Sequence, residues 1–359
     1  HPGCIALALG EPDFPTPDVI SAEVTAALDR GDTHYPPNNG RPALREALSA
    51  YMGGAGLTFS ADEVILTDGA TEALSATFMA MLNPGDEVII PTPAFGLYES
   101  IVVANHAKAV FLDTEPAQFQ IDEDALCACV TPATKAIVIC TPNNPTGAVY
   151  TQDTLERLAN ILREENKKCD PQNPIYLISD EPYREITYGA EVPYVPTLYK
   201  RTIVCYSYSK SLSLPGERIG YIYVSNLMDN AKEVYTAVSG AGRALGFICT
   251  AVLFQRVMEK CVNEPSDVEA YRANRELLTK GLSELGYEYV EPDGAFYLWV
   301  RALESDDEAF CEKAKAHELL LVPATCFKSH GWVRISYCVS ADVIKRSMPA
   351  FKALMEEYK

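Results

Sequence analysis

Residues 207–221 read SYSKSLSLPGERIGY, and they decide how the rest of the chain is read. Lys210 stands among Ser207, Ser209, Ser211 and Ser213, and Arg218 follows in the same stretch. The run before it, TIVCY at 202–206, has the β-branched and aromatic character of a strand. A lysine amine placed where hydroxyls and a guanidinium converge can form an imine with a phosphorylated aldehyde, while the hydroxyls and Arg218 hold the phosphate. A solvated lysine in a serine-rich turn would carry no such meaning. Here a strand, Ser-x-Ser-Lys and Pro-Gly-x-Arg-x-Gly occur in order.

The chain has 359 residues, 48% of them hydrophobic, with 30 basic and 49 acidic side chains. That length suits one large domain and a smaller one. A net charge of −19 argues against nucleic acid as a partner, because neutralising phosphates needs clustered lysines and arginines. It fits a protein that catches small anions with a few local arginines. The eleven cysteines are scattered through apolar stretches. Only Cys127 and Cys129 are near neighbours, with no second pair to complete a zinc site. They read as reduced thiols of a cytoplasmic protein. The five histidines show no metal-ligand spacing, so no metal is expected. No apolar run approaches the roughly 18 residues of a membrane span, so no membrane partner is expected. The sequence starts at His1 rather than Met, which leaves a preceding segment or targeting signal open.

Short β-branched runs alternate with helical patterns. The spacing predicts strands at 64–66, 88–90, 109–112, 136–140, 175–179, 202–206 and 219–224, with helices that include 71–81 and 154–167. This alternation predicts an α/β fold whose mostly parallel sheet is covered on both faces. The motifs fall just after the strands, where open α/β sheets gather ligands. From about residue 264 the texture changes to a long polar helix over Val268–Leu285, then YEYVEPDGAFYLWV, another helix, WVRISYCV and a closing helix. That predicts a separate, smaller α+β domain.

Several further motifs carry chemistry. LISDEPYR sets Asp180 at a strand end, where a buried carboxylate can pair with a protonated pyridine nitrogen. TDGATEAL follows the strand VIL and opens a helix, so Gly69, Ala70 and Thr71 can aim N–H groups at an anion. TPNNPTG, with Asn144, follows the apolar strand AIVIC directly. Arg334 stands among apolar and aromatic neighbours in WVRISYC, and a planar guanidinium can grip a carboxylate with two parallel hydrogen bonds. The remaining segments are PTPAFGLYE with Phe95, ALGEPDFPTP with Gly10, HYPPNNG with Tyr35 and SGAGRALGF with Arg243.

This ordered set resembles class I/II aminotransferases, the fold type I enzymes of the aspartate aminotransferase superfamily, which use pyridoxal 5'-phosphate. The resemblance covers nearly the whole chain. It implies a large domain with a mostly parallel seven-stranded sheet between helices, at 32–263, and a smaller α+β domain made of 1–31 and 264–359. It implies that Lys210 carries the cofactor, that Asp180 partners the ring nitrogen, and that Tyr183 and Asn144 touch the phenolic oxygen. Phe95 would stack on the ring, where many relatives carry Tyr or Trp. Gly69, Ala70, Thr71, Ser207, Ser209 and Arg218 would hold the phosphate. Arg334 would clamp the substrate α-carboxylate, with Gly10 and Asn144 beside it. In the family a tyrosine matching Tyr35 reaches the phosphate across a dimer interface. In dicarboxylate-specific relatives an arginine near the offset of Arg243 crosses the same interface. A homodimer with shared active sites follows from the resemblance.

The expected activity is a ping-pong aminotransferase acting on an L-amino acid, aspartate-like by preference, and a 2-oxo acid. Lys210, once freed, would serve as general base and acid. The alternative with the same residues is a lyase, either a β-carbon–sulfur lyase or one resembling 1-aminocyclopropane-1-carboxylate synthase. A nicotinamide dehydrogenase has only the Gly240, Gly242 and Gly246 spacing in its favour, and that follows a helical pattern rather than a strand.

Overall fold

The structure, a computed structural model, describes residues 4–53, 59–169 and 173–359. The parts 1–3, 54–58 and 170–172 of the expected domain spans lie outside the described residues. Among the described residues the strands are β1 (Ile5–Ala6), β2 (Val64–Thr67), β3 (Glu87–Thr92), β4 (Lys108–Asp113), β5 (Thr134–Cys140), β6 (Tyr176–Asp180), β7 (Thr202–Ser207), β8 (Gly220–Val224), β9 (Tyr289–Val290), β10 (Tyr297–Arg301), β11 (Leu319–Leu320), β12 (Val322–Pro323) and β13 (Trp332–Ser336).

Seven of them form one sheet in the order β2-β8-β7-β6-β5-β3-β4. Strand β8 runs against both its neighbours, β7 and β2, and the remaining pairs are parallel. These are the seven strands read from the sequence, with ends moved by a residue or two. The run TKAIVIC of β5 is buried along its whole length, because helices cover both faces. Its successive side chains feed different cores. Val138 packs with Phe78, Ile90 and Ile178 on one face. Ile137 and Ile139 meet Leu155, Leu158 and Leu162 of helix Gln152–Asn166 on the other. That helix starts where the Thr151 hydroxyl accepts from the Thr154 N–H at 3.1 Å. Helix Gly69–Met81 begins two residues earlier than expected and packs Leu74 and Phe78 on the first face.

The second sheet is antiparallel, in the order β12-β13-β10-β9. Helices Val268–Leu285 and Ala341–Glu356 back it, and Leu278, Leu282, Phe351 and Leu354 share its core with Leu298, Val333 and Ile335. The polar helix has the bounds expected, because Asp267 caps its start and Gly286, at φ 90°, ends it. Strand β1 pairs parallel with β11, and the Asp13 N–H donates to Cys338 O at 2.9 Å. Residues 5–13 therefore lie on the C-terminal layer. Helix Asp18–Asp29 does not follow it there. It packs against helix Val252–Cys261, and Ile20 joins Leu44, Leu48, Tyr206 and Val257 behind the large sheet. Gly240 and Gly242 lie inside helix Ala231–Ala244, so the nicotinamide alternative has no strand-to-helix loop. Among the described residues no helix is long and apolar enough to cross a membrane.

Gly220 fixes the spacing at the functional edge of the sheet. A Cβ there would stand 2.3 Å from the Tyr206 carbonyl oxygen and 3.0 Å from Gly69 Cα. Gly220→Ala should therefore cost about 1–3 kcal/mol of stability through overpacking. Urea unfolding checks this, and an unchanged midpoint would show that β7 and the Gly69 turn can move apart freely.

Candidate active site

Strands β2, β3, β5, β6 and β7 all end at one edge of the large sheet, and the motif residues follow their last positions. They enclose a cleft of about 290 Å³. Ala70, Thr71, Phe95, Asn144, Asp180 and Tyr183 line it from the large sheet's loops. Ser207, Ser209, Lys210 and Arg218 line it from the segment after β7, and Gly10 and Arg334 from the C-terminal layer. Gly69 is buried immediately behind Ala70. Two expected residues are elsewhere on the chain. Tyr35 is 92% exposed. Arg243 is exposed on helix Ala231–Ala244 and borders a separate depression with Arg45 and Glu72.

Lys210 sits on the short turn Tyr208–Ser211, pinned by the Tyr206 and Ser211 hydroxyls 2.9 Å apart. Its Nζ donates to the Gly10 carbonyl at 2.5 Å. Burial pulls its ammonium below the usual lysine range, and Arg334 and Arg218 add to that, against Cys338 and Glu11. A larger share of neutral amine is the result.

Asp180 closes β6 and is 4% exposed. Its Oδ2 accepts from the Tyr98 hydroxyl at 2.6 Å, and its Oδ1 has no partner. Burial pushes the carboxyl up to about 7, the Tyr98 bond opposes the rise, and Glu181 adds to it. Tyr98 was not among the residues singled out from PTPAFGLYE. It lies on helix Leu97–Ala104, with the ring of Phe95, which precedes that helix, at a centroid distance of 5.9 Å, and no local pattern in GLYE marks it.

Arg334 lies at the opposite wall and is 9% exposed. Its Nη1 donates to Asn144 Oδ1 at 2.9 Å and its Nη2 to the Ala8 carbonyl at 2.6 Å, while Nε has no partner. The guanidinium carbon stands 4.5 Å from the Tyr297 ring centroid and 4.9 Å from that of Phe327. The Tyr183 and Tyr297 hydroxyls are 2.8 Å apart. Burial pushes both phenols up, Tyr183 well above its ordinary value. Tyr297 is the second functional candidate the sequence did not reveal, because within GAFYLWV it reads as an ordinary strand residue.

The anion end is built from the turn before helix Gly69–Met81 and the segment after Lys210. Gly69 has φ +80°, and a Cβ there would lie 2.6 Å from Arg218 Nη2. Arg218 donates to the carbonyls of Pro215 at 2.9 Å and Asp68 at 3.2 Å, which holds its guanidinium over the helix N-terminus. A phosphorylated pyridine aldehyde fits this donor set. The unpartnered Asp180 Oδ1 would meet a ring N–H, Lys210 the aldehyde, and the Gly69–Thr71 turn with Arg218 the phosphate.

Comparison with known proteins places the chain among aminotransferases. The family described as Aminotransferase class I and II matches residues 2–351. An aminotransferase from Eubacterium rectale is 42% identical, with TM-score 0.94 over 98% of this chain and 90% of that chain. The aspartate aminotransferase of Thermus thermophilus, solved with maleate, is 33% identical, with TM-score 0.90 over 98% of this chain and 91% of that one. An aspartate/prephenate aminotransferase from the same organism is 33% identical across 98% of this chain and 91% of its own length. The fold is the fold type I architecture of these aminotransferases, and the chain belongs to the class I and II aminotransferase family.

Proposed function

We propose that this aminotransferase uses pyridoxal phosphate on Lys210 to pass an amino group between an L-amino acid, aspartate-like by preference, and a 2-oxo acid. The transfer is ping-pong: the first oxo acid leaves before the second binds. The observation that carries the reading is the convergence of a half-buried lysine, an unpartnered carboxylate oxygen and a half-free arginine fork on one cleft.

Bound pyridoxal phosphate supplies the electron sink for the pair released at the substrate α-carbon. Asp180 Oδ1 holds the proton on the ring nitrogen. Tyr183 donates its hydroxyl proton to the phenolic oxygen. Asn144 spends its carbonyl oxygen on Arg334, which leaves its NH2 to donate to the same phenolic oxygen. Phe95 covers the ring face. Gly69, Ala70, Thr71, Ser207, Ser209 and Arg218 bind the phosphate. Arg334 turns its fork from Ala8 and Asn144 to the substrate carboxylate, with Gly10 beside it. Lys210 Nζ, whose ammonium form burial disfavours, would take the proton from the substrate α-carbon and later give it back as general acid.

The preference for a dicarboxylate depends on a second copy of the chain. Arg243 would meet the distal carboxylate and Tyr35 the phosphate across a homodimer interface, which suits their exposure in the single chain. The domain reading is likewise ours. Residues 32–263 carry the cofactor groups, while 1–31 with 264–359 bring Gly10 and Arg334, and helix Asp18–Asp29 ties the second unit to the first. The eleven free thiols support a reducing, cytoplasmic setting and a role in amino acid metabolism there.

Lys210→Ala should remove the protein-bound cofactor absorbance and nearly all turnover, and a variant retaining both would refute the assignment. Arg243→Ala should lower kcat/KM for aspartate by about 10²-fold and leave that for phenylalanine within a factor of about two. Equal losses on both substrates would remove the dicarboxylate reading. The folded Asp180 carboxyl is pushed up from 3.8 to about 7, so the cofactor-free chain keeps its stability at low pH and loses it as pH rises through that window. Asp180→Asn removes the buried charge. Its gain in Tm over wild type should be larger at about pH 8 than at about pH 5, with turnover lost. Equal gains at both would contradict a buried, unpaired carboxylate.

A further inference from the structure

Tyr297, the first residue of β10, is 2% exposed and is held in place from several directions. The Gly147 carbonyl accepts from the N–H groups of Asp293 at 3.0 Å and Gly294 at 2.9 Å. Ala295, at φ 56°, donates its N–H to Ile186 O at 2.9 Å. Gly10 leaves the room that the hydroxyl fills, since a Cβ there would be 2.1 Å from Tyr297 Oη. That hydroxyl meets Tyr183 at 2.8 Å, and the ring's face carries the Arg334 guanidinium at 4.5 Å.

We propose that Tyr297 is a positioning residue for the transfer reaction: its hydroxyl donates to Tyr183, aims that phenol at the cofactor's ring oxygen, and links it to the carboxylate clamp Arg334. The proposal rests on the pyridoxal phosphate reading above. Tyr183 has a single proton to donate. When that proton goes to an anionic ring oxygen, the bond between the two phenols has to come from Tyr297. A bond donated to a phenol oxygen strengthens that phenol as a donor, and more so in a buried chain. Other titratable groups facing the pair are the thiols of Cys140 and Cys338. Burial pushes both thiols up, Cys338 to about 12, so they stay neutral. The charge acting on Tyr297 is therefore that of Arg334, which counters the effect of burial on its phenol. A carboxylate seated on Arg334 is then felt at Tyr183 without touching it.

The test is an absorbance titration of the protein reconstituted with pyridoxal phosphate, in wild type, Tyr297→Phe, Tyr183→Phe and the double variant. Phenylalanine keeps the ring over Arg334 and removes only the hydroxyl. The pH midpoint of the bound cofactor's absorption change should rise by roughly 0.5 to 1 unit in Tyr297→Phe. It should rise further in Tyr183→Phe and no further in the double variant. An unmoved midpoint in Tyr297→Phe, or additive shifts in the double variant, overturns the proposal. Gly10→Ala, which crowds the hydroxyl without removing it, should give the same upward shift, and an unchanged midpoint there also counts against it. A wild-type protein with no Lys210-dependent absorption band would sink the cofactor reading itself. A normal wild-type band with an unmoved Tyr297→Phe midpoint sinks this proposal alone.

Discussion

A carboxylate oxygen without a partner, buried at the end of a central strand, is the constraint around which the cleft is arranged. Asp180 has one side-chain hydrogen bond, from Tyr98, and its second oxygen has none. An isolated buried charge costs several kcal/mol even after relaxation, and the chain answers by holding the carboxyl near neutrality. The two nearby cations do not quench it. Lys210 rests on the Gly10 carbonyl, and Arg334 on Asn144 and the Ala8 carbonyl. If either cation paired with Asp180, it would compete with a ring N–H for the free oxygen. Neutral acceptors keep the charges apart.

The two backbone acceptors, the carbonyls of Ala8 and Gly10, come from one strap. The chain around Gly10 is fixed by the pairing of β1 with β11 and by the Cys338 thiol, which lies 3.4 Å from Glu11 O and 3.7 Å from Leu9 O. The cleft thus has a directed layout. Arg218 stands at the helix N-terminus, Lys210 in the middle and Arg334 at the far wall, all within a chain of net charge −19. An anion at each end with a reactive carbon between them matches that order, which is why the arrangement suits one phosphorylated ring carrying an amino acid.

The sheet was legible because buried parallel strands have a distinctive composition. AIVIC and TIVCY cannot be surface segments, and their neighbours had to be helices. The site residues after the strands were legible for a related reason: each sits in a turn whose chemistry is local, as with Gly69 ahead of its helix. Tyr98 and Tyr297 were not, because their roles come from long-range contacts with Asp180 and Tyr183. Nothing in GLYE or AFYL separates a hydroxyl with a partner from a core ring. Helix Asp18–Asp29 packs against helix Val252–Cys261, a long-range contact that its own sequence does not reveal. The roles proposed for Tyr35 and Arg243 need a second copy of the chain, and both side chains are exposed on the single chain.

The central claim is that Asp180 keeps a proton on the ring nitrogen of bound pyridoxal phosphate. Nuclear magnetic resonance of the protein loaded with ring-15N-labelled cofactor reads this directly. At about pH 8, where a free pyridine nitrogen is unprotonated, the account predicts a pyridinium-type shift in wild type that is lost in Asp180→Asn. A free-base shift in the wild-type protein would contradict it.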